Sequence, residues 1–455
     1  MTKKYILIFF AHLAISIIFF FFFKFEYVEN WNFFWQNINE KYLFINKNLF
    51  QNIWALHSQP PLHNLFYAVI LNLFYPYQHI AYKLIQAICG ALLIVNIFVI
   101  IDFVIETNII NRILKLIIFF NPAVFLYEHY YLYTLNTAFI LSVCLVFLIF
   151  FLKYKSQKFL LLFVFFLNIL ILYRSSFHFI FLILVLIFFA VILKLPKRTI
   201  IYACLISLLS FSWYLKNYVN YGFFGASSWQ GLNLYKFITT NYNKTKAQQV
   251  SKKIQIPEIL LNTNHFYTEI YDYKKYKFTK TANLEFLNDN NWHNINAVDI
   301  AKIHNDYALK IIMNFPKFYF ANLRQAYSIY SRPSFTYAHL VNNAEKISIY
   351  TAMYNNIIYF DNYVFKAILK TDIYPINQFL FPIILIALLI FYVYSFFYKK
   401  NFSDKDKIII FLLVLVFYYS TVSCMLELGE NNRFRFTVEP YIFILFFYYI
   451  EQRAK

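Results

Sequence analysis

Long apolar runs separated by short polar loops dominate the chain. Residues 5–23, 80–105, 110–126, 135–152, 158–173, 177–193, 199–215, 376–397, 408–424 and 438–450 are almost free of charge. Most of them come near the roughly 20 apolar residues that a helix needs to cross a bilayer. The pattern predicts an all-α polytopic membrane protein with about ten transmembrane helices. One further apolar stretch, 62–74, is short.

Basic residues in short loops report sidedness. Lys3 and Lys4, the clusters Lys153/Lys155/Lys158, Lys194/Lys197/Arg198 and Lys399/Lys400/Lys405/Lys407, and Arg453/Lys455 fall on one side if the ten runs alternate. That side is read as cytoplasmic, with both termini on it, and the chain as a multi-pass protein of the cell membrane, the inner one in a Gram-negative cell. A full crossing by 62–74 would flip every later basic loop, so this segment is expected to be a re-entrant or interfacial helix on the outer face. The first run carries no small-x-small cleavage site before Lys24-Phe25-Glu26 and is expected to be an uncleaved anchor. Three regions follow: an N-terminal bundle 1–215 with a first outer loop 24–59, a mainly helical extracytoplasmic domain 216–375, and C-terminal spans 376–455. Within the domain, Ile300, Ile303, Tyr307 and Ile311 recur at helical spacing before Pro316 and predict a helix against the bundle's outer face.

Composition sharpens the reading. The chain is 61% hydrophobic and only 14% charged, whereas a soluble domain carries about 25% charged residues. Phe, Tyr, Ile, Asn and Lys are inflated and Gly and Arg are scarce, as in A+T-rich coding. The net charge of +19 then partly reflects available lysine codons, and no nucleic-acid partner follows from it. The four cysteines lie in or beside apolar runs, which indicates neither a disulfide framework nor a CxxC metal site.

In such a chain a glycine or arginine carries information. Three of five glycines, Gly222, Gly225 and Gly231, stand within ten residues. They predict a turn, either a plain helix exit or a loop whose amides approach a phosphate or sugar. Five of eight arginines, Arg174, Arg324, Arg332, Arg433 and Arg435, map to the predicted outer face, opposite to the topological rule. Guanidinium pairs bidentately with phosphate oxygens, so Arg174, in a short turn between spans, and Arg433 are candidates for a phosphate-bearing lipid head group. Glu26 and Glu29 follow the first span three residues apart, on one face if the helix continues. A carboxylate partly desolvated there has a raised pKa suited to a general base near neutral pH. His57-Ser-Gln-Pro-Pro-Leu-His63 offers a histidine pair with the donor chemistry for a divalent metal or a phosphate contact, although such histidines more often cap a helix start. Glu128, beside His129 after Asn121-Pro122, is a further site candidate because polar groups at membrane depth usually line a cavity.

Several stretches together resemble the type-C glycosyltransferases, in particular the protein O-mannosyltransferase and aminoarabinose transferase branches. They are the first-loop glutamates, Pro60-Pro61-Leu62, Asn121-Pro122, the run from Trp213 through Asn217, Gly222, Ser227-Ser228 and Gly231-Leu-Asn233-Leu, and Gly429-Glu430-Asn-Asn-Arg433-Phe-Arg435-Phe-x-x-Glu439-Pro440. The resemblance spans most of residues 1–240 and 420–450. It implies transfer of a sugar from a polyprenyl-phosphate donor to a lipid, glycan or protein acceptor on the extracytoplasmic face, with inversion. The family's acidic first-loop residue corresponds to Glu26 or Glu29. Substrate contacts are expected from His57, His63, Glu128, Arg174, Asn217, Gly231, Asn233, Glu430 and Arg433. Membrane lipids are the other expected partners, and no cofactor is required beyond a divalent metal, which the sequence leaves open. The alternatives are a surface-polysaccharide polymerase or ligase and a lipid-linked sugar transporter or flippase.

Overall fold

A computed structural model describes residues 3–27, 31–34, 37–242, 244–256, 260, 280–359, 379–398 and 402–454. Glu29 lies outside the described residues. The helices are α1 (Lys3–Phe21), α2 (Leu49–Ala55), α3 (Leu62–Phe74), α4 (Gln78–Val104), α5 (Asn108–Phe119), α6 (Pro122–Tyr127), α7 (Thr134–Tyr154), α8 (Gln157–Tyr173), α9 (Phe179–Val191), α10 (Lys197–Tyr221), α11 (Gln230–Thr239), α12 (Lys244–Ile254), α13 (Asn296–Asn314), α14 (Pro316–Tyr330), α15 (Val341–Lys346), α16 (Ser348–Ile358), α17 (Phe381–Tyr398), α18 (Asp404–Leu426) and α19 (Asn431–Ala454). No strand occurs among the described residues. The molecule is a helical, membrane-embedded bundle. Seven helices, α1, α4, α5 continued through α6, α7, α10, α17 and α18, are long and apolar enough to cross a bilayer.

Ion pairs mark one end of the bundle. Lys4 pairs with Asp102 at 3.2 Å, Lys155 with Asp404 at 2.7 Å, and Lys405 with Glu106. Glu451, near the end of α19, accepts the N–H groups of Glu106 and Thr107. The start of α1, the 102–107 turn, the 153–158 turn and the start of α18 therefore share an end. At the other end the first loop meets the segment after α10 and helix α15. Asn343 holds the backbone of Glu26 on both sides, at 3.0 and 2.7 Å, and His57 bonds Ser228.

Like α9, helix α3 is 13 residues, about 20 Å at 1.5 Å per residue, which is shorter than a core about 30 Å thick. The first loop holds it near both ends. Asn64 Oδ1 accepts the N–H of Ile38 at 2.7 Å, and Asn72 Nδ2 donates to Leu43 O at 2.8 Å. It packs on α4 and α8.

Two carboxylates within the bundle are closed by partners. Glu128 meets His12 of α1 at 2.6 Å and Ser16 at 2.7 Å, where Gly90 of α4 leaves the space: a Cβ there would come within 2.0 Å of Glu128 Oε1. Glu439 of α19 accepts from Arg435, Ser334 and Tyr359 at 2.6–2.8 Å. A carboxylate left unpaired in such surroundings would be costly, so both bind distant segments to the bundle. Charged groups thus do stand inside the helical core, where the apolar runs alone suggested few.

The 280–359 segment is interlocked with the bundle. Its helix α13 ends before Pro316, as the spacing of Ile300 to Ile311 predicts, but it packs chiefly on α11 and on α14. Gly231 allows this approach, since a Cβ there would stand 2.1 Å from the carbonyl oxygen of Ala301. The glycine expected to face a ligand instead serves helix packing. Gly231→Ala is expected to lower stability by about 1–3 kcal/mol through overpacking. Gly225→Ala, where the nearest atoms are the Phe223 ring at 3.4 Å, should leave it within about 0.5 kcal/mol; thermal unfolding in detergent compares the two.

Candidate functional site

Three chain segments far apart in sequence meet at the loop-rich end. The turn after α8 supplies Arg174, Ser175 and Ser176. The α10–α11 connection and the start of α11 supply Ser227, Gln230 and Asn233. The end of α18 and start of α19 supply Glu427 and Phe434. Together they give a cavity of about 260 Å³ its polar groups, and Ile180, Tyr418, Val422 and Leu426 give it an apolar wall.

Arg174 is buried, caps α8, and lies in no ion pair among the described residues. Its guanidinium stacks on the Tyr133 ring at 3.8 Å and lies 4.8 Å from the Phe434 centroid. Arg433 approaches the same Tyr133 ring at 5.5 Å. One nitrogen of Arg433, Nη2, donates to Glu430 Oε2 at 2.5 Å, while Nε and Nη1 are buried with no hydrogen-bond partner among the described residues. Two guanidinium groups thus share one tyrosine ring. Burial, and after it repulsion from Arg433, push the Arg174 guanidinium down to about 9. Both effects are those a bound anion relieves.

The acids divide by environment. Glu427 lines the cavity with its side chain 13% exposed, and Lys236 of α11 approaches its Oε1 at 3.3 Å. Burial raises the Glu427 carboxyl; repulsion from Glu430 adds to this, and the attraction of Lys236 and Arg433 opposes it. Glu430 is also subject to burial, yet Arg433, Lys236 and a 2.9 Å hydrogen bond from Tyr337 bring it below its ordinary value.

Of the residues singled out in the sequence, Arg174 and Asn233 line the cavity, and Glu430 and Arg433 join it through Tyr133 and Phe434. His63 stands behind Arg174: its Nδ1 meets the hydroxyl of Tyr173 at 3.1 Å, and Asn136 donates to the same hydroxyl at 2.8 Å. The others are elsewhere. Glu26 is 76% exposed and paired with Lys346 at 3.0 Å, so the expected desolvation of this carboxylate is absent and it does not line the cavity. Helix α1 ends at Phe21, and the backbone after it is held open by Asn343. Glu128 is enclosed by His12 and Ser16.

The remaining candidates shape loops. Asn217 Nδ2 donates to Gly225 O at 2.7 Å, closing the turn after α10, and Gly222 takes the left-handed conformation (φ 74°) of a helix exit. His57 meets Ser228 through Nδ1 and the His293 carbonyl through Nε2, and Ser58 meets His293 Nδ1 at 2.6 Å. Burial lowers His57 to about 3, and repulsion from His293 contributes. Both ring nitrogens of His57 are committed and His63 faces Tyr173, so the two do not form a shared metal site. Among the described residues no group of three or more His, Cys, Asp or Glu is placed to hold a metal ion.

Glu427, Lys236, Gln230 and Tyr133 were not singled out in the sequence. The available signal for Glu427 was a carboxylate directly after an apolar run and two residues before a rare glycine. Compared with protein-family models, curated proteins and solved structures, the chain gives no match in any of the three.

Proposed function

We propose that the chain is a ten-span membrane glycosyltransferase that moves a sugar from a polyprenyl-phosphate donor to an acceptor on the extracytoplasmic face. In this reading α8, α9 and α19 complete the ten passes and α3 stays at the interface. The end rich in Lys4, Lys155 and Lys405 faces the cytoplasm, as the rule for basic loops requires, and the cavity opens on the opposite side. The observation that carries the proposal is the pair of buried guanidinium groups over Tyr133, one with two nitrogens lacking a partner among the described residues, beside a cavity with an apolar wall. Buried donors of this kind are costly unless a ligand satisfies them.

The chemistry that fits is a phosphate attached to a lipid chain. A volume of about 260 Å³ lies at the small end of ligand sites and suits a head group while the chain stays in the bilayer. Arg174 and Arg433 supply forked donors to phosphate oxygens. When the bond between the anomeric carbon and the phosphate breaks, negative charge grows on the leaving phosphate, and fixed donors stabilise that charge most where water is excluded. The sugar component of the proposal comes from the resemblance of the Asn217 to Asn233 and Gly429 to Pro440 stretches to the type-C glycosyltransferases.

Farnesyl phosphate, a short polyprenyl phosphate, tests the site directly, with farnesol as the control for the chain alone. Wild-type protein in detergent should bind the phosphate and hold farnesol much more weakly. Arg433→Lys and Arg174→Lys keep a charge but lose the fork, and each should weaken farnesyl phosphate binding roughly tenfold to a hundredfold with an unchanged unfolding temperature. Equal binding by wild type and both variants removes the basis for a phosphate site.

A further inference from the structure

We propose that Glu427 is the general base of this transfer, an assignment that rests on the sugar-transfer reading above. Of the two first-loop carboxylates expected for the task, Glu26 points to solvent and pairs with Lys346, and Glu29 lies outside the described residues. Glu427 instead lines the cavity that holds Arg174, Gln230 and Asn233. Its Oε1 accepts from Lys236 at 3.3 Å and from the backbone N–H of Leu428 at 3.2 Å, which fixes the carboxylate, and no hydrogen bond of Oε2 is seen among the described residues.

Glu430, three residues on, is unsuited to the same role. It is committed to Arg433 and Tyr337, and these contacts favour its charged form. Glu427 is shifted the opposite way, chiefly by burial. Two carboxylates whose surroundings drive them apart divide their roles: the one held ionised balances charge, and the one with raised proton affinity exchanges protons.

The step balances as follows. An acceptor hydroxyl gives its proton to Glu427, and its oxygen forms a bond to the anomeric carbon on the face opposite the phosphate. The bond from that carbon to the phosphate oxygen breaks, and its electron pair leaves with the polyprenyl phosphate, held by Arg174 and Arg433. No oxidant or additional reactant is needed. Lys236 acts as a positioning residue that keeps Glu427 turned toward the cavity.

The test uses the full chain in liposomes, farnesyl-phosphate hexoses and pentoses as donors, cell-envelope extract as acceptor, and release of farnesyl phosphate as readout. Glu427→Gln should lower kcat at least a hundredfold, with farnesyl phosphate binding within about threefold of wild type, which also reports a folded site. Glu427→Asp should recover part of the rate. The base must be ionised, so the wild-type rate should fall as pH is lowered, through a limb above the ordinary glutamate value of about 4.3; the residual rate of Glu427→Gln should lack that limb. A wild-type kcat and pH profile in Glu427→Gln, with Arg433→Lys impaired, overturns the base assignment and leaves the transfer reading standing. Release by wild type from none of the donors overturns the transfer reading and the base with it.

Discussion

Two guanidinium groups over one tyrosine ring set the terms for the loop-rich end of this bundle. Arg174 and Arg433 both reach Tyr133, while one carboxylate, Glu430, meets Arg433 directly. Burying a cation costs several kcal/mol even after relaxation, and a second cation beside it adds repulsion that low local polarity does not screen. The surrounding aromatic faces offset part of that cost, since a guanidinium over a ring gains about 0.5–2 kcal/mol. The fold keeps a concentration of positive charge where an anion is the natural complement.

The contrast with the other buried charges gives this weight. Arg435 lies two residues from Arg433, on another face of α19, and its Nε donates to Glu439, itself bonded by Ser334 and Tyr359. Glu128 is closed by His12 and Ser16. These sites behave as structural charges in a nonpolar interior do, with partners drawn from distant segments: α1 for Glu128, and Ser334 and Tyr359 for Glu439. Arg433 keeps Nε and Nη1 without partners among the described residues.

Much of the helical plan was legible because an apolar run is a local property. The helix at 62–74 was legible in the same way, and the alternation of basic loops is what keeps it at the interface in the proposed topology. Arg174 and Arg433 were legible for a related reason, since a scarce residue away from the basic loops stands out without any contact information. Glu26 was not, because its exposure depends on where α1 stops and on Asn343 and Lys346, more than 300 residues away. Gly231 looked like a loop glycine in the sequence, but its neighbour is a carbonyl of α13, a packing fact that no local pattern encodes. The cavity was hidden in the same way, as it exists only once the turn after α8, the start of α11 and the end of α18 are brought together.

The spacing of Glu427 and Glu430 shows how one glycine lets neighbouring carboxylates differ. Had α18 continued, residues three apart would share a helical face and feel one environment. The helix ends at Leu426, Glu427 is extended (φ −141°, ψ 144°), and Gly429 takes φ +117°, a conformation that L side chains rarely adopt. Asn431 secures the break by accepting the Gly429 N–H at 3.1 Å and donating to the carbonyls of Ser423 and Glu427. The chain therefore turns between the two acids, sending Glu430 to Arg433 and Tyr337 and leaving Glu427 with Lys236 at the cavity wall. Opposite shifts in two nearby carboxylates are thus a consequence of backbone geometry, and that geometry depends on one of the few glycines in the sequence.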